Sequence, residues 1–281
     1  MTLLIGIDAG GTKLAAGVVD VTSGQLLRRQ QVPADAGRGG AAVLADCLAL
    51  ATGLARLFPV RAVGLGIPEL ITPDGEITTA AAWDWRGDDL PAAFAPIGPL
   101  HIESDVRAAA LGEARLGAGR ALSSFLYLSI GTGISHTLVI GGRPWRGSRG
   151  NALVVGAPMV ELSFGGHQLA AQAGKARAED VLACAADEPV VARAAGVIGA
   201  ELARLVNAVD PEAVVIGGGL GLVAEFRERV AAAARPLIYA EATARLPIVP
   251  AALARDAGII GAALACADRC GEDWPEHEAR S

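Results

Sequence analysis

The chain has 281 residues, 52% of them hydrophobic, and a formal net charge of −6. This length allows one large or two ordinary domains with a substantial core. The charge is negative and no run of five or more basic residues occurs, so we expect no nucleic-acid partner.

Neither a leader nor a membrane segment is expected. No basic stretch followed by a long apolar region precedes the first strand, and no eighteen uninterrupted apolar residues occur. The four cysteines form no C-x-x-C pair. We therefore expect a cytoplasmic, reduced protein without a membrane partner.

The first elements are two apolar strands joined by a glycine turn, within residues 3–19. Such a turn exposes backbone N–H groups that suit a phosphate, and glycine allows the ligand to approach closely. Asp8 ends the first strand, where its carboxylate can hold Mg²⁺ directly or through water. An ordinary β-hairpin explains the segment equally well when it is taken alone. The candidate cofactor-binding residues here are Asp8, Gly10, Gly11, Thr12 and Lys13.

A strand over residues 25–32, a helix over 40–57 and a buried strand over 62–67 follow. Residues 68–85 are rich in loop-forming residues and resemble a substrate wall beside a strand end. Trp83 and Trp85 in this loop either stack on a substrate ring or fill the loop. A short strand over 100–103 then leads to an alanine-rich helix, for which Ser104 or Asp105 can be the N-cap.

The strand–glycine turn–strand unit recurs at residues 125–140, around Gly131, Thr132 and Gly133. This recurrence indicates two related halves. Residues 177–209 are predicted to be largely helical. A third buried strand ends in Gly217, Gly218 and Gly219, where an adenine or ribose could lie against bare backbone. No Walker A string occurs, and Leu222 stands where a Rossmann fingerprint starting at Gly217 needs its third glycine.

In this order the motifs resemble the ROK family (repressors, open reading frames and kinases) of the actin-like, sugar-kinase and Hsp70 ATPase fold. The resemblance runs from Leu3 to about Asp268. In that family the Asp8 and Gly131 turns bind phosphates and the Gly217 loop binds adenosine. Residues 103–113 resemble its catalytic segment N-D-A-N-A-A-A-L-G-E, and Asp105 falls on the general base.

The resemblance implies a two-domain α/β protein of the ribonuclease H-like, actin-like class, with nucleotide in an interdomain cleft. It places a small domain at 1–103, completed by a C-terminal helix at about 257–270, and a large domain at 104–256. Residues 271–281 are expected to form a flexible tail. ATP and Mg²⁺ are the implied cofactors, although polyphosphate-using relatives leave the donor open. A homodimer and a small polyhydroxylated substrate are the implied partners.

The sugar-binding side departs from the family pattern. Val154 and Ala157 replace a sugar-binding Glu and a His, and the cysteine-rich zinc motif is absent, so no zinc site is expected. We predict new or altered substrate contacts at Glu69, Ser104, Asp105, Arg107 and His136. Two functions remain open. One is a kinase for a modified sugar, amino sugar or cyclitol, and the other is a non-catalytic regulator that binds nucleotide or ligand.

Overall fold

A computed structural model describes residues 1–34, 36–152, 164–184 and 188–271. Ten strands lie in these ranges: β1 Leu3–Ala9, β2 Lys13–Asp20, β3 Gln25–Pro33, β4 Val63–Ile67, β5 Leu100–Ser104, β6 Ser124–Ile130, β7 Ile134–Ile140, β8 Arg143–Pro144, β9 Ala213–Gly217 and β10 Ile248–Pro250. The α-helices are α1 Gly40–Ala55, α2 Leu90–Phe94, α3 Asp105–Leu116, α4 Gly166–Gln172, α5 Ala178–Leu182, α6 Glu188–Val209, α7 Ala224–Ala234, α8 Glu241–Ala244 and α9 Ala257–Cys270. Short 3₁₀ turns occupy Ala36–Arg38, Arg235–Leu237 and Ala254–Asp256.

The first compact unit comprises Met1–Gly112, Arg146–Asn151 and the chain from Asp256 onward. Its five-stranded sheet has the order β3-β2-β1-β4-β5. The first three strands are antiparallel, and β4 and β5 run parallel to β1. Strands β1 and β4 are apolar on both faces because both are covered, which is usual for parallel strands.

Helix α9 packs directly on the backbone of this sheet. A Cβ added at Gly6 or Gly64 would lie 1.9 Å from the carbonyl oxygen of Ile259 or Ala262, respectively. Only glycine permits such an approach, so these two residues fix the depth at which α9 lies on β1 and β4. The predicted C-terminal helix is therefore an integral layer of the first unit.

The second unit comprises Glu113–Trp145 and Ala152–Arg255. Its sheet has the order β10-β9-β6-β7-β8, with β6, β7 and β8 antiparallel and β9 and β10 parallel to β6. The apolar residues of α6 and α7 form one core with β6 and β9. Each unit thus consists of an antiparallel three-stranded meander followed by two parallel strands, which agrees with the predicted pair of related halves.

The predicted class, an α/β fold of the two-unit actin-like type, is confirmed. Packing divides the chain after Gly112, inside α3, whereas the sequence placed a boundary between residues 103 and 104. The functional domain bounds therefore stay a prediction. The expected tail lies outside the described residues beyond Gly271. Among the described helices, none has the length and apolar character needed to cross a bilayer.

Candidate active site

Two acidic residues of the first unit lie at the same edge of its sheet. Asp8 on β1 is in register with Gly66 on β4, which is in register with Glu103 on β5. All three strands are parallel, so Asp8 and the start of α3 at Asp105 both lie at their carboxyl ends. One strand separates them, which corresponds to about 10 Å across the sheet. The topology therefore places a candidate metal ligand and a candidate base at one edge.

Asp8 precedes a tight turn in which the Gly10 N–H donates to the Lys13 carbonyl at 3.0 Å. Its carboxylate lies against the first turn of α9, where a Cβ at Gly258 would be 2.7 Å from the carboxylate oxygen. No described residue donates a hydrogen bond to this carboxylate. Loss of hydration raises the pKa of Asp8 to about 6, opposed by the positive charge of Arg29. A hard cation would be coordinated by the carboxylate oxygens and would neutralise the buried negative charge. Asp8 therefore fits the predicted Mg²⁺.

Asp105 is the first residue of α3, and its carboxylate accepts a 2.6 Å hydrogen bond from the Val106 N–H. An N-cap side chain accepts from the second or third N–H of its helix, so this bond to the next residue does not test the predicted capping role. Gly66 on the neighbouring strand packs beside it, since a Cβ there would be in van der Waals contact with the Asp105 Cα at 3.6 Å. Ser104, immediately before, is fully buried and its hydroxyl has no hydrogen-bond partner among the described residues.

The two glycine segments of the second unit contact each other. The Ile130 carbonyl accepts hydrogen bonds from the Leu220 and Gly221 N–H groups at 2.9 and 3.0 Å. A Cβ at Gly131 would lie 3.8 Å from the Gly219 nitrogen. The predicted phosphate turn and the predicted adenosine loop are therefore neighbours, as one nucleotide would require.

Helix α4 begins at the Gly131 turn. The Gly166 and His167 N–H groups donate to the carbonyls of Gly131 and Thr132 at 2.9 and 3.3 Å. These bonds hold the backbone of the turn against the start of α4. The turn is thus preorganised by backbone contacts, although the nucleotide contact itself stays a prediction.

Glu69, predicted to contact substrate, is buried within its own loop. Its carboxylate accepts bonds from the Thr79 hydroxyl at 2.6 Å and from the Ala81, Ala82 and Trp83 N–H groups at 2.7, 2.7 and 3.2 Å. Four donors occupy both oxygens, so Glu69 shapes the loop wall. Its substrate contact stays a prediction.

The two tryptophans fill the loop. Trp83 and Trp85 are buried in the core of the first unit and stack on each other with ring centroids 5.2 Å apart. The Trp85 indole N–H donates to the Gly40 carbonyl at 2.9 Å. Of the two interpretations the sequence allowed, the structure supports packing.

Arg107, also predicted to bind substrate, is completely buried. Its guanidinium donates to the Glu103 carboxylate and to the carbonyls of Ile71 and Gly150. Burial lowers the pKa of Arg107, while the negative charge of Glu103 opposes that change. Every nitrogen of the guanidinium has a protein partner, and a substrate contact stays a prediction.

His136 lies on β7 opposite Leu128, on the same strand face as the core residue Ile134. It is only 3% exposed, and burial lowers its pKa to about 4 against the opposing charge of Glu201 on α6. The ring is therefore neutral at physiological pH and belongs to the interior of the second unit. The predicted substrate contact again stays a prediction.

Two buried carboxylates received no role from the sequence. Glu103 accepts bonds from the Ser104 N–H and from Arg107 and Arg146. Glu113 is fully buried and accepts bonds from the Ala118, Ala252 and Leu253 N–H groups.

Glu103 and Glu113 are the first and last residues of the segment that resembles the catalytic motif. That position was the signal by which the sequence could have pointed to them. Val154 and Ala157 lie outside the described residues. Within the described ranges, no group of three or more His, Cys, Asp or Glu residues could hold a metal ion.

The ROK family profile matches residues 4–165 and 166–269. The chain belongs to the ROK family. It is 32% identical over 286 residues to the bifunctional enzyme NanE/NanK of Brucella melitensis, covering 92% of this chain and 53% of that protein. The chain thus spans about half the length of that relative. It is 28% identical to the N-acetylmannosamine kinase of Yersinia pseudotuberculosis, covering 92% of this chain and 97% of that protein.

Among solved structures, a ROK glucokinase from Streptomyces griseus in complex with glucose and AMPPNP superimposes with a TM-score of 0.83 at 25% identity. The match covers 93% of this chain and 98% of that one.

Proposed function

We propose that this ROK protein is an ATP-dependent kinase that transfers the γ-phosphoryl group to a hydroxyl of a sugar or sugar-like polyol. The observation that carries the proposal is the pair of acidic residues at one sheet edge, Asp8 at the phosphate turn and Asp105 at the start of α3. Their surroundings differ, since no described residue donates a hydrogen bond to Asp8, whereas the Val106 N–H donates to Asp105. Different surroundings suit different tasks in one reaction.

Asp105 is the proposed general base. Its carboxylate accepts the proton of the acceptor hydroxyl while that oxygen forms a bond to the γ-phosphorus and the bond to the β-phosphate oxygen breaks, releasing ADP. Most of the charge lies on the transferring group, so positioning contributes more than proton removal. The unpartnered Ser104 hydroxyl next to Asp105 is a proposed hydrogen-bonding contact for the acceptor.

Asp8 is the proposed ligand of Mg²⁺, directly or through water. When bound, the cation neutralises phosphate charge during transfer. The backbone N–H groups of the turns at 10–13 and 131–133 and the bare backbone at 217–219 are the proposed contacts of the nucleotide.

The acceptor is proposed to be a modified sugar, an amino sugar or a cyclitol. The relatives named above support a carbohydrate acceptor, and one of them is named an N-acetylmannosamine kinase. Val154 and Ala157 remove two side chains that the family uses for sugar hydroxyls. Each unmade hydrogen bond weakens binding by about 0.5–1.5 kcal/mol, which argues against unmodified glucose as the preferred acceptor.

The test is an ADP-release assay with MgATP over glucose, N-acetylmannosamine, other amino sugars and cyclitols. Turnover with at least one acceptor is expected. Asp105→Asn should lower kcat about 10²–10⁴-fold, the usual contribution of a general base. Its affinity for AMPPNP, measured by isothermal titration calorimetry, should be unchanged.

The matched control is Asp46→Asn, which makes the same chemical change on α1 at a residue paired with Arg38. Its kcat should equal that of the wild type. Nucleotide or sugar binding without turnover of any acceptor would instead support the non-catalytic regulator.

A further inference from the structure

Arg107 stands two residues after the proposed base, where the family pattern has an asparagine. A fully buried guanidinium is uncommon unless it is paired, because removing it from water is expensive. The inference that follows rests on the proposed function, since it concerns how Asp105 is held for that reaction.

The guanidinium joins three separate segments of the first unit. It donates to Glu103 Oε1 on β5 at 2.7 Å, to the Ile71 carbonyl at 2.9 Å and to the Gly150 carbonyl at 2.6 Å. Gly150 has φ +80°, and a Cβ there would lie 2.1 Å from the Ile71 carbonyl oxygen. The two loops therefore meet backbone to backbone, and Arg107 bridges their carbonyl oxygens.

Glu103 connects this bridge to the base. It accepts the Ser104 N–H at 2.8 Å with the same oxygen that pairs with Arg107. Its other oxygen pairs with Arg146, which belongs to the same loop as Gly150. The backbone immediately before Asp105 is thus fixed by a carboxylate that is itself fixed by two arginines.

We propose that Arg107 is a positioning residue, which holds the loops at Ile71 and Gly150 against the first turn of α3 and so sets the orientation of Asp105. On this proposal Arg107 acts through Asp105 and takes the place of the substrate contact that the sequence predicted, because Glu103, Ile71 and Gly150 already occupy its guanidinium. The planar fork of arginine suits this task, because it can reach a carboxylate and two carbonyls at once. Lysine keeps the charge but has a single nitrogen at its end.

The test compares Arg107→Met and Arg107→Lys with the wild type under the ADP-release assay. A misplacement of about 1 Å can lower a rate by about 100-fold, so Arg107→Met should lose about 30–100-fold in kcat. The acceptor KM should change by less than about threefold, because no contact to the acceptor is removed. The kcat of Arg107→Lys should lie between those of the wild type and Arg107→Met, since lysine restores the charge but not the planar guanidinium. The control is Arg245→Met at the exposed ion pair with Glu241 on α8, which should leave kcat and the acceptor KM unchanged.

A rise of tenfold or more in acceptor KM with unchanged kcat would overturn the proposal and make Arg107 a substrate contact. Unchanged kinetics in Arg107→Met or Arg107→Lys would also overturn it. If Arg107→Met does not fold, the double variant Glu103→Gln/Arg107→Met removes both charges together. Should that variant fail as well, Arg107→Lys alone decides by the same criteria.

Hydrogen exchange gives a readout that does not depend on turnover. Amides in residues 68–78 and 146–152 should exchange at least about tenfold faster in the folded Arg107 variants than in the wild type. If the wild-type protein phosphorylates no acceptor, the proposed function fails while this exchange result still decides whether Arg107 joins the loops. Unchanged exchange in both segments would contradict the positioning role.

Discussion

Asp8 should reduce the stability of the ligand-free protein while it serves nucleotide binding. The perturbation is Asp8→Asn, which keeps the shape of the side chain and removes its charge. Burial raises the pKa of Asp8 from 3.8 to about 6, so the folded state disfavours the ionised form that predominates at pH 7.5. We therefore expect the variant to be more stable than the wild type when Mg²⁺ and nucleotide are absent.

The magnitude follows from the size of the pKa change. A change of about 2 units corresponds to about 3 kcal/mol at 1.36 kcal/mol per unit. The carboxylate keeps some contact with solvent, which reduces this to a gain of about 1–3 kcal/mol in the free energy of unfolding. The corresponding rise in the midpoint of thermal unfolding is about 2–10 °C.

The assay is urea and thermal unfolding of both proteins between pH 4 and 8 in the presence of EDTA. Neutral Asp8 stabilises the wild type fully below pH 3.8, and this stabilisation is lost as pH rises through about 6. The advantage of Asp8→Asn should thus be near zero at pH 4 and complete by pH 7.5. Added MgATP should stabilise the wild type more than the variant.

Asp20→Asn, in the same hairpin, should change the free energy of unfolding in the opposite direction. The pKa of Asp20 is lowered: burial acts to raise it, but bonds from the Ser23 hydroxyl and from the Thr22 and Thr2 N–H groups outweigh burial. Its charge is stabilising above the unfolded pKa, so this variant should be less stable than the wild type at pH 7.5. If Asp8→Asn were less stable than the wild type at pH 7.5, or if the difference did not vary with pH, burial of the Asp8 charge would not be destabilising.

Two further substitutions test the glycine loop and the loop wall. Gly218→Ala should prevent nucleotide binding and lower the free energy of unfolding by at least about 2 kcal/mol. The reason is that Gly218 has φ +80° and that the new Cβ would lie 2.4 Å from the Ile130 carbonyl oxygen. Urea unfolding measures the stability, and AMPPNP titration measures the binding. Gly219→Ala is its matched control, since no atom other than those of its chain neighbours lies within 4 Å of the added Cβ. This variant should be as stable as the wild type. Equal loss of stability in both variants would contradict the steric explanation for Gly218. Glu69→Ala should cost about 2–4 kcal/mol of unfolding free energy because four donors lose their acceptor, whereas a loss below about 0.5 kcal/mol would show that the loop is held by its tryptophans alone.

The sequence could predict those features that depend on residues close together in the chain. Apolar runs and the glycines after them locate β1, β6, β9 and their turns, because a strand and a turn are encoded by neighbouring residues. The order of these segments was enough to predict the fold class. The placement of Asp8 and Asp105 at one edge then follows from parallel pairing with β4.

Most hydrogen-bond partners of Glu69 and Arg107 could not be read from the sequence, because they lie ten or more residues away in the chain. Arg107 bonds to Ile71 and Gly150, which lie 36 and 43 residues away. Nothing in the pattern around residue 107 indicates that two loops would converge on it.

His136 is different, since it alternates with Ile134 and Leu138 on one strand face. That period of two was an available signal for a buried position.

The most direct test of the kinase assignment is a ³¹P NMR spectrum of the wild-type protein incubated with MgATP and the acceptor panel. We expect a new phosphomonoester resonance that grows in step with ADP and is lost in Asp105→Asn. ADP accompanied only by inorganic phosphate, or ATP left intact with every acceptor, would contradict the kinase assignment.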